Sequence, residues 1–337
     1  MLLSKRRPNF YFSIIFLFSF WISSAYAQTV VVDMDGAVDD YLALSILLEM
    51  PAAQLSAIVA TDGLATVEAG LQGCEILFKR CQENLPLLGA GEKKPLKGKN
   101  QFPQEWRNQA ATLFQLPLRF GNHELHAGSM KPLKLPLIRT SFFPQKSILL
   151  VTGPLSTLAQ LIRNHAISEK TFEKIIIMGG AWKVSGNVEA TYPALKYPDA
   201  EWNIFNDPEG AREVFSQKLP LYLVPLDVTK QFPVTREFLE RLMKTTQLNP
   251  RGLFFRDLLV TQKPGIFEGW YELWDPMTVF AAFYSELFEW EKSGIDVLTE
   301  GRERGKVVPS PKNPKISIAV RVNAKRVESE LWKLLSQ

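Results

Sequence analysis

The stretch Thr29-Val-Val-Val-Asp-Met-Asp-Gly-Ala-Val-Asp-Asp40 contains the features that decide the fold and the candidate site. It starts with β-branched residues, without the alternation of a half-exposed strand, and so predicts a strand covered on both faces. Similar apolar runs recur at 147–151 and 174–178, and helical patterns lie between such runs, as at 38–50 and 154–163. This alternation predicts an α/β fold with an open, mostly parallel, doubly wound sheet.

The rest of the chain continues the same alternation. Further strands are predicted at 55–60 and 221–225, with three short strands near the C terminus at 295–298, 305–308 and 316–322. Further helices are predicted at 66–81, 208–215, 235–245, 276–287 and 324–335. Residues 89–138 contain five prolines and several glycines, which predicts an irregular segment of the kind that often forms an active-site lid. Residues 28–337 are predicted to form a single domain with a short C-terminal β extension and helix.

The N-terminal 27 residues have the order of a secretory signal peptide. Lys5, Arg6 and Arg7 form a basic start, an apolar run follows at about 10–22, and Ala25-Tyr-Ala27 offers a small-x-small cleavage site. A membrane anchor is the alternative, but the run is shorter than the roughly 20 residues that span a bilayer. We therefore predict a signal peptide at 1–27 and an exported protein, periplasmic or secreted. Its removal lowers the net charge from +4 to +1, so charge indicates neither a nucleic-acid partner nor stable membrane association.

Four carboxylates follow the first predicted strand within eight residues: Asp33, Asp35, Asp39 and Asp40. Ligands bind at the carboxyl ends of strands in open α/β sheets. Carboxylates this close repel one another when desolvated, and a hard cation with oxygen ligands relieves that repulsion. An acidic helix N-terminus is the alternative, but it accounts for Asp39 and Asp40 and leaves Asp33 and Asp35 unexplained. The cluster therefore predicts a divalent-metal site.

Two hydrolase families share this acidic pattern. An apolar strand followed by D-x-D-G resembles the first motif of the haloacid-dehalogenase-like phosphatases, which implies Asp33 as nucleophile, Asp35 as acid/base and Mg²⁺ as the metal. Ala37 departs from that family's pattern and we find no matching later acidic pair, so this resemblance covers one motif. The D-x-D-x-x-x-D-D pattern also resembles the opening motif of the nucleoside hydrolases.

The resemblance to the nucleoside hydrolases extends over almost the whole predicted mature chain, in six segments that keep their order. After the acidic motif come segments similar to T-G-x-L-T-N, M-G-G…G-N, E-[FW]-N-x-x-x-D-P, L-D-[LV]-T and a late acidic dipeptide. In this chain they are Val151-Thr-Gly-Pro-Leu-Ser-Thr157, Ile177-Met-Gly-Gly180 with Gly186-Asn187, Glu201-Trp-Asn-Ile-Phe-Asn-Asp-Pro208, Leu226-Asp-Val-Thr229 and Trp274-Asp275. Thr157 stands where the family usually has Asn. The ordered match favours the nucleoside hydrolases, whose Rossmann-like fold agrees with the predicted sheet.

That resemblance implies a Ca²⁺ ion held by Asp35, Asp40, the backbone carbonyl of Thr152 and Asp275. It also implies that Asp35 is the general base that takes a proton from the attacking water. Asp33 is expected to orient a ligand from behind, as outer partners of metal sites do.

The resemblance also implies a sugar pocket built from side chains of several segments. They are Asp39 on the ribose hydroxyls, Asp62 at the border of the diol, Asn187, Glu201 and Asn203 on the far side of the sugar, and Trp202 on the ribose side. Because positive charge builds on the sugar in an oxocarbenium-like transition state, carboxylates around it are favourable.

The residue before the late Asp distinguishes branches of the family. Trp274 stands where one branch has a His that is proposed to protonate the leaving base, and none of His123, His126 and His165 lies in a matching segment. The Trp resembles the purine-preferring inosine-adenosine-guanosine branch, in which aromatic rings hold the base. This implies Trp274 as one ring, with Trp106 as the candidate for the other. Stacking would favour a more basic purine nitrogen that solvent protonates.

These features predict a Ca²⁺-dependent purine nucleoside hydrolase whose partner is a small-molecule nucleoside. The family resemblance alone suggests a homodimer or homotetramer. Ala37 departs from the purine branch, which has an Asn there that helps to hold the sugar. Together with Thr157, that departure leaves open a non-catalytic nucleoside-binding protein on the same scaffold.

Overall fold

The computed structural model of the chain describes residues 27–113, 116, 119–120, 123–124 and 142–336. All of the predicted signal peptide except Ala27 lies outside the described residues, as does His126. Within the described part of the chain, no helix is both long enough and apolar enough to cross a membrane.

Strands account for the centre of the molecule. They are β1 (Gln28–Met34), β2 (Ala53–Ala60), β3 (Leu87–Ala90), β4 (Arg119–Phe120), β5 (His123–Glu124), β6 (Ser147–Val151), β7 (Phe172–Met178), β8 (Leu221–Val224), β9 (Phe288–Val297), β10 (Val307–Pro309) and β11 (Lys315–Val322). In the described residues, nine of them form one sheet in the order β10-β9-β11-β8-β7-β6-β1-β2-β3, and β4 pairs with β5 separately. The strands from β11 to β3 run parallel, whereas β9 and β10 are antiparallel additions at one edge.

Helices follow most of the strands. They are α1 (Val38–Leu47), α2 (Val67–Arg80), α3 (Gln104–Ala110), α4 (Ser156–Arg163), α5 (Val188–Thr191), α6 (Trp202–Asn206), α7 (Pro208–Phe215), α8 (Leu226–Thr229), α9 (Arg236–Lys244), α10 (Pro250–Thr261), α11 (Lys263–Glu268), α12 (Pro276–Phe283) and α13 (Ala324–Leu335).

Two apolar cores, one on each face of the sheet, hold these layers together. In β1, Val30 and Val32 belong to the core that contains α1, α2, α9, α10, α12 and α13, whereas Val31 belongs to the core that contains α4 and α7. All three valines are buried, which explains why the strand is apolar at successive positions. The α/β fold with a mostly parallel, doubly wound sheet is therefore confirmed.

The order of the strands fixes where a ligand can bind. β1 pairs with β2 on one side and with β6 on the other. The chain moves outward from β1 to β3, returns to β6, and then moves outward in the opposite direction. The crevice at the carboxyl ends of β1 and β6 is thus the topological switch point, where open α/β sheets bind ligands.

Several elements differ from the predictions. Helices α10 and α11 were not predicted, and neither was the first half of β9, in which apolar and charged residues are mixed. The segment predicted as irregular at 89–138 contains α3 and the end of β3, and its residues 125–138 lie outside the described part. Cys74 and Cys81 are buried and free.

Candidate active site

The acidic cluster begins at the carboxyl end of β1. Asp33 is in the strand, Asp35 follows its last residue, and α1 starts at Val38. Gly36 makes the turn between them with φ +78°, a conformation that favours glycine. A Cβ on Gly36 would also lie 2.7 Å from the Cβ of Ala65, so only glycine fits there.

Two further glycines make room for the side chain of Asp35. A Cβ on Gly63 would lie 2.2 Å from Asp35 Oδ2, and a Cβ on Gly153 would lie 2.7 Å from Asp35 Cβ. The backbone N–H of Leu64 donates to Asp35 Oδ2 at 2.9 Å. The carboxylate of Asp35 is therefore held in one place by the backbone that passes on either side of it.

Asp40 lies behind Asp35 and fastens the strand ends together. Its Oδ2 accepts the backbone N–H of Ala37 at 2.8 Å and that of Asp35 at 3.3 Å. Its Oδ1 accepts the hydroxyl of Thr152, which follows β6, at 2.5 Å. The backbone N–H of Thr152 donates in turn to the carbonyl of Asp33 at 2.8 Å. Asp40 thus joins the turn after β1 to the end of β6.

Asp39 and Asp275 complete the acidic cluster. Asp275 immediately precedes α12, and its carboxyl group shares a hydrogen bond with Asp39. Burial raises the pKa of Asp39 to about 6, and the hydrogen bond from Asp275 opposes part of that rise. Burial, followed by the charges of Asp39, Asp40 and Asp35, raises the pKa of Asp275 well above its usual range.

The same two causes act on the other members of the cluster. Burial raises the pKa of Asp35 to about 7, against the hydrogen bond from Leu64, and the charge of Asp39 adds to the rise. Burial and the charges of Asp35 and Asp39 raise the pKa of Asp40 well above its usual range. The structure therefore concentrates carboxylates where their negative charge is poorly solvated.

Asp33 does not face the same neighbours. Its Oδ1 accepts the hydroxyl of Thr61 at 2.6 Å, and Thr61 is in turn hydrogen-bonded to the hydroxyl of Thr157. The hydroxyl oxygen of Thr157 accepts the backbone N–H of Glu92 at 2.9 Å. Burial raises the pKa of Asp33 to about 7, and the hydrogen bond from Thr61 opposes the rise. Thr157, the departure from the usual Asn, is thus part of a hydrogen-bond chain that supports Asp33.

Glu201, Asn203 and Asn187 also line the cavity, and hydrogen bonds hold them in place. The Glu201 carboxylate caps α6 by accepting the backbone N–H groups of Asn203 at 3.0 Å and Ile204 at 3.2 Å, and it also accepts that of Gly180 at 2.9 Å. Asn203 Nδ2 donates to the carbonyl of Thr152 at 3.1 Å. Asn187 Oδ1 accepts the backbone N–H of Trp202 at 3.2 Å.

Aromatic side chains line the cavity in two groups. Trp202 stacks on Phe102 with ring centroids 5.1 Å apart, and Trp106 meets the edge of Trp202 at 5.2 Å. In the second group, Trp274 packs edge-on against Tyr271 at 5.0 Å. The Tyr271 hydroxyl is buried and has no hydrogen-bond partner among the described residues.

Most of the predicted site residues line one cavity at the switch point. They are Asp35, Asp39, Trp106, Thr152, Asn187, Glu201, Trp202, Asn203, Trp274 and Asp275. Asp40 is not in the lining but supports it through Thr152 and the Asp35 backbone. Asp62 is also outside the lining, and its carboxylate pairs with Arg107 at 3.0 Å.

The cavity is anionic. Among the described residues that line it, Asp35, Asp39, Glu201 and Asp275 are acidic, and none is Lys, Arg or His. No three Asp, Glu, His or Cys side chains in the described parts of the chain converge as a ready-made metal site. The donor set nevertheless fits a hard cation, because these buried carboxylate oxygens have no cationic side chain beside them among the described lining residues.

Sequence reasoning missed several residues of the cavity. Tyr271, Trp270, Gln262 and Thr191 line it, and Gly63 and Gly153 give space to Asp35. The aromatic run Trp270-Tyr-Glu-Leu-Trp274 was an available signal for Tyr271, because Trp274 was already a candidate. No local signal marks Thr191, whose hydroxyl accepts Trp202 Nε1–H at 2.9 Å.

The sheet and its anionic cavity define an α/β protein that binds a small ligand at the switch point of its sheet. Comparison with known proteins identifies the class. A family model described as "Inosine-uridine preferring nucleoside hydrolase" matches residues 30–329. Among curated relatives, a probable uridine nucleosidase 1 of Oryza sativa subsp. japonica is 26% identical over 283 residues, which cover 80% of this chain and 81% of the relative. A pyrimidine-specific ribonucleoside hydrolase, RihA, of Shewanella sp. (strain ANA-3) is 31% identical over 218 residues, which cover 64% of each chain.

Solved structures agree with the fold. An inosine-uridine preferring nucleoside hydrolase from Bacillus anthracis superposes with a TM-score of 0.75 at 24% identity, covering 91% of this chain and 98% of that one. A purine-preferring ribonucleoside hydrolase from Gardnerella vaginalis gives a TM-score of 0.74 at 21% identity, covering 92% and 98%.

The chain belongs to the nucleoside hydrolase family. It is therefore a hydrolase that acts on N-glycosyl compounds. In nucleosides, the N-glycosidic bond joins the base to the ribose. The family prediction is confirmed, and the phosphatase alternative loses its support.

Proposed function

We propose that the protein is a Ca²⁺-dependent hydrolase of purine ribonucleosides that releases the free base and ribose. The observation that carries the proposal is the composition of the cavity. Buried carboxylates, with no Lys, Arg or His among the described lining residues, and several tryptophan rings line the same cavity. A ribose next to the carboxylates and a base next to the rings would match that composition.

The proposed cation ligands are Asp35, Asp40, the carbonyl oxygen of Thr152, and Asp275. These groups come from the end of β1, the first turn of α1, the end of β6 and the start of α12, and hydrogen bonds already connect Asp40 to Asp35 and to Thr152. Oxygen ligands of this kind suit Ca²⁺, which takes six to eight of them. When bound, the ion supplies a Lewis acid that makes water easier to deprotonate and offsets part of the negative charge.

Asp35 is proposed to act as the general base. Its carboxylate lines the cavity, and the Leu64 N–H fixes one of its oxygens at 2.9 Å. The backbone passes close to the Asp35 side chain at Gly63 and at Gly153. A base held in this way can accept the proton of a water molecule that attacks the sugar, without first reorganising.

The remaining acidic groups are proposed to stabilise the reacting sugar. Cleavage of a glycosidic bond passes through an oxocarbenium-like state in which the sugar becomes positive. Asp39 and Glu201 both face the cavity, and no described cationic side chain lines it to cancel their field. Fixed negative charge in a poorly solvated site stabilises developing positive charge strongly.

The base is proposed to lie against Trp274, with Trp106 on its other side. Both rings line the cavity, although they belong to separate aromatic groups. Since no His lines the described cavity, proton delivery to the base is assigned to solvent, with stacking making the purine easier to protonate. The Tyr271 hydroxyl, which has no hydrogen-bond partner among the described residues, offers a hydrogen bond to a polar atom of the substrate.

Base release from inosine, guanosine, adenosine, uridine and 2′-deoxyinosine, each with Ca²⁺ and with a chelator, tests the proposal. We expect purine ribonucleosides to be preferred and the chelator to abolish turnover. A preference for uridine, as the names of the curated relatives suggest for those proteins, would overturn the assignment of the base. Equal rates on inosine and 2′-deoxyinosine would show that the enzyme, which has Ala37 in place of the Asn of the purine branch, does not recognise the 2′-hydroxyl of the ribose.

We also propose that the enzyme is exported and that cleavage follows Ala27. The basic and apolar N-terminal residues support this proposal. N-terminal sequencing of the chain recovered from the periplasm or medium of an expressing bacterium should begin at Gln28. Recovery of the uncut chain in the membrane fraction would indicate an anchor instead.

A further inference from the structure

The loop after β2 lies directly against the proposed general base. Leu64 donates its backbone N–H to Asp35 Oδ2 at 2.9 Å. Gly63 passes so close that a Cβ there would be 2.2 Å from the same oxygen. Ala65 donates its backbone N–H to the carbonyl of Asp35 at 2.8 Å. This loop is therefore in direct contact with both the carboxylate and the backbone of Asp35.

Arg107 on α3 holds the other side of that loop. Its guanidinium donates to both oxygens of Asp62, at 3.0 Å and 3.2 Å, and also to the carbonyl of Gly63. Asn100 adds hydrogen bonds from Nδ2 to Asp62 Oδ1 at 2.7 Å and to the Gly63 carbonyl at 2.8 Å. The side chains of Arg107 and Asp62 are only 14% and 11% exposed, so the pair is largely shielded from water.

Arg107 is also the neighbour of Trp106 in a helix of seven residues, Gln104–Ala110. Trp106 lines the cavity, where the base is proposed to lie. Arg107 therefore connects Trp106, its neighbour in α3, to the loop that contacts Asp35.

We propose that Arg107 is a positioning residue that, through Asp62 and Gly63, sets the orientation of Asp35 and at the same time fixes Trp106 over the base. The inference rests on the proposed function, in which Asp35 is the general base. In this proposal Asp62 acts by holding Arg107, and not by bordering the ribose diol.

The geometry of the pair explains why arginine is needed. A guanidinium forms two parallel hydrogen bonds to a carboxylate and still has donors for a carbonyl, which fixes the relative orientation of all three groups. Lysine carries the same charge but is a compact point charge on a flexible stem. Lysine at position 107 can thus keep the attraction to Asp62 but cannot also hold Gly63 in a fixed orientation.

The test compares Arg107→Gln, Arg107→Lys, Asp62→Asn and the double variant Arg107→Gln/Asp62→Asn. Two substrates are used: inosine and p-nitrophenyl β-D-riboside, whose leaving group needs neither stacking nor protonation. We expect Arg107→Gln to lower kcat between about 10-fold and 100-fold on both substrates. The reason is that moving a catalytic group by up to about 1 Å from its productive position lowers the rate by as much as about 100-fold. KM should rise only for inosine, because only inosine uses Trp106. Arg107→Lys should give intermediate kcat values, and the double variant should be no worse than Arg107→Gln.

Arg251→Gln is the matched control. Arg251 and Glu49 form a pair of similar exposure, 21% and 12%, outside the cavity lining. This variant should lose stability without a change in kcat or KM for the folded fraction. If Arg107→Gln behaves like this control, or if Arg107→Gln and Asp62→Asn have additive effects, the positioning role is refuted. If wild-type protein hydrolyses neither substrate with Ca²⁺ present, the proposed function itself fails, which is a distinct outcome.

Discussion

Gly63→Ala adds one methyl group against the proposed general base. The new Cβ would be 2.2 Å from Asp35 Oδ2, whereas ordinary contacts begin at 3.4 Å, so the two atoms must separate by about 1.2 Å. The backbone of Gly63 has an ordinary φ, so alanine itself adds no backbone strain. Gly153 closes the opposite side, with a Cβ position 2.7 Å from Asp35 Cβ, and Leu64 holds Oδ2 by its N–H. The carboxylate therefore has to move out of its present place.

The magnitude follows from that displacement. A misplacement of about 1 Å in a catalytic group lowers the rate about 100-fold, which corresponds to about 2.7 kcal/mol in the barrier. Overpacking also lowers the free energy of unfolding, by about 1–3 kcal/mol. We expect kcat on inosine, corrected for the folded fraction, to fall about 100-fold in Gly63→Ala.

Gly89→Ala separates the two effects. A Cβ on Gly89 would lie 2.6 Å from Cε1 of Phe142, which is comparable overpacking outside the cavity lining. Thermal unfolding and steady-state kinetics of both variants are the assay. The control should lose stability and keep its kcat. A folded Gly63→Ala enzyme with kcat within about twofold of wild type would refute the placement of Asp35 as the base.

Three further substitutions test other parts of the site. Asp35→Asn keeps an acceptor for the Leu64 N–H but removes the base, so kcat should fall at least about 100-fold with an unchanged near-UV circular dichroism spectrum. Near-wild-type turnover would contradict the assignment. Trp274→Ala should raise KM for inosine between about 5-fold and 150-fold, because base–aromatic stacking contributes about 1–3 kcal/mol. Trp332→Ala, on α13, should leave KM unchanged. Tyr271→Phe removes a hydroxyl without a described partner, so Tm should stay equal or rise while kcat/KM falls about 2-fold to 10-fold. Unchanged kcat/KM would show that this hydroxyl does not contact the substrate.

The sheet and the acidic part of the cavity lining could be predicted from the sequence. Apolar runs of consecutive buried residues, such as Val30 to Val32, identify strands covered on both faces. Acidic residues directly after such a run lie at a carboxyl strand end, and the family resemblance added Thr152 and Asp275 from distant segments. Nine of the ten predicted lining residues belong to the segments of that resemblance, and Trp106 is the exception.

The contacts between segments could not be predicted in that way. Arg107 and Asp62 are 45 residues apart, and Gly153 is close to Asp35 only because β6 pairs with β1. Such contacts depend on how elements pack, and the sequence pattern of each element does not record this. Helix α10 shows a related limit: it is apolar on several sides because other helices surround it, so its pattern lacks one polar face. The Asn249 side chain that caps it was the available local signal.

The origins of the lining residues have a consequence for how such an enzyme can change. Asp35 and Thr152 are attached to the carboxyl ends of β1 and β6, whereas Trp106 comes from the short helix α3, in the long segment between β3 and β6. Loops on a rigid scaffold tolerate substitution far better than the scaffold does. The choice of nucleobase can therefore diverge, by evolution or by engineering, while the bond-breaking chemistry is inherited unaltered.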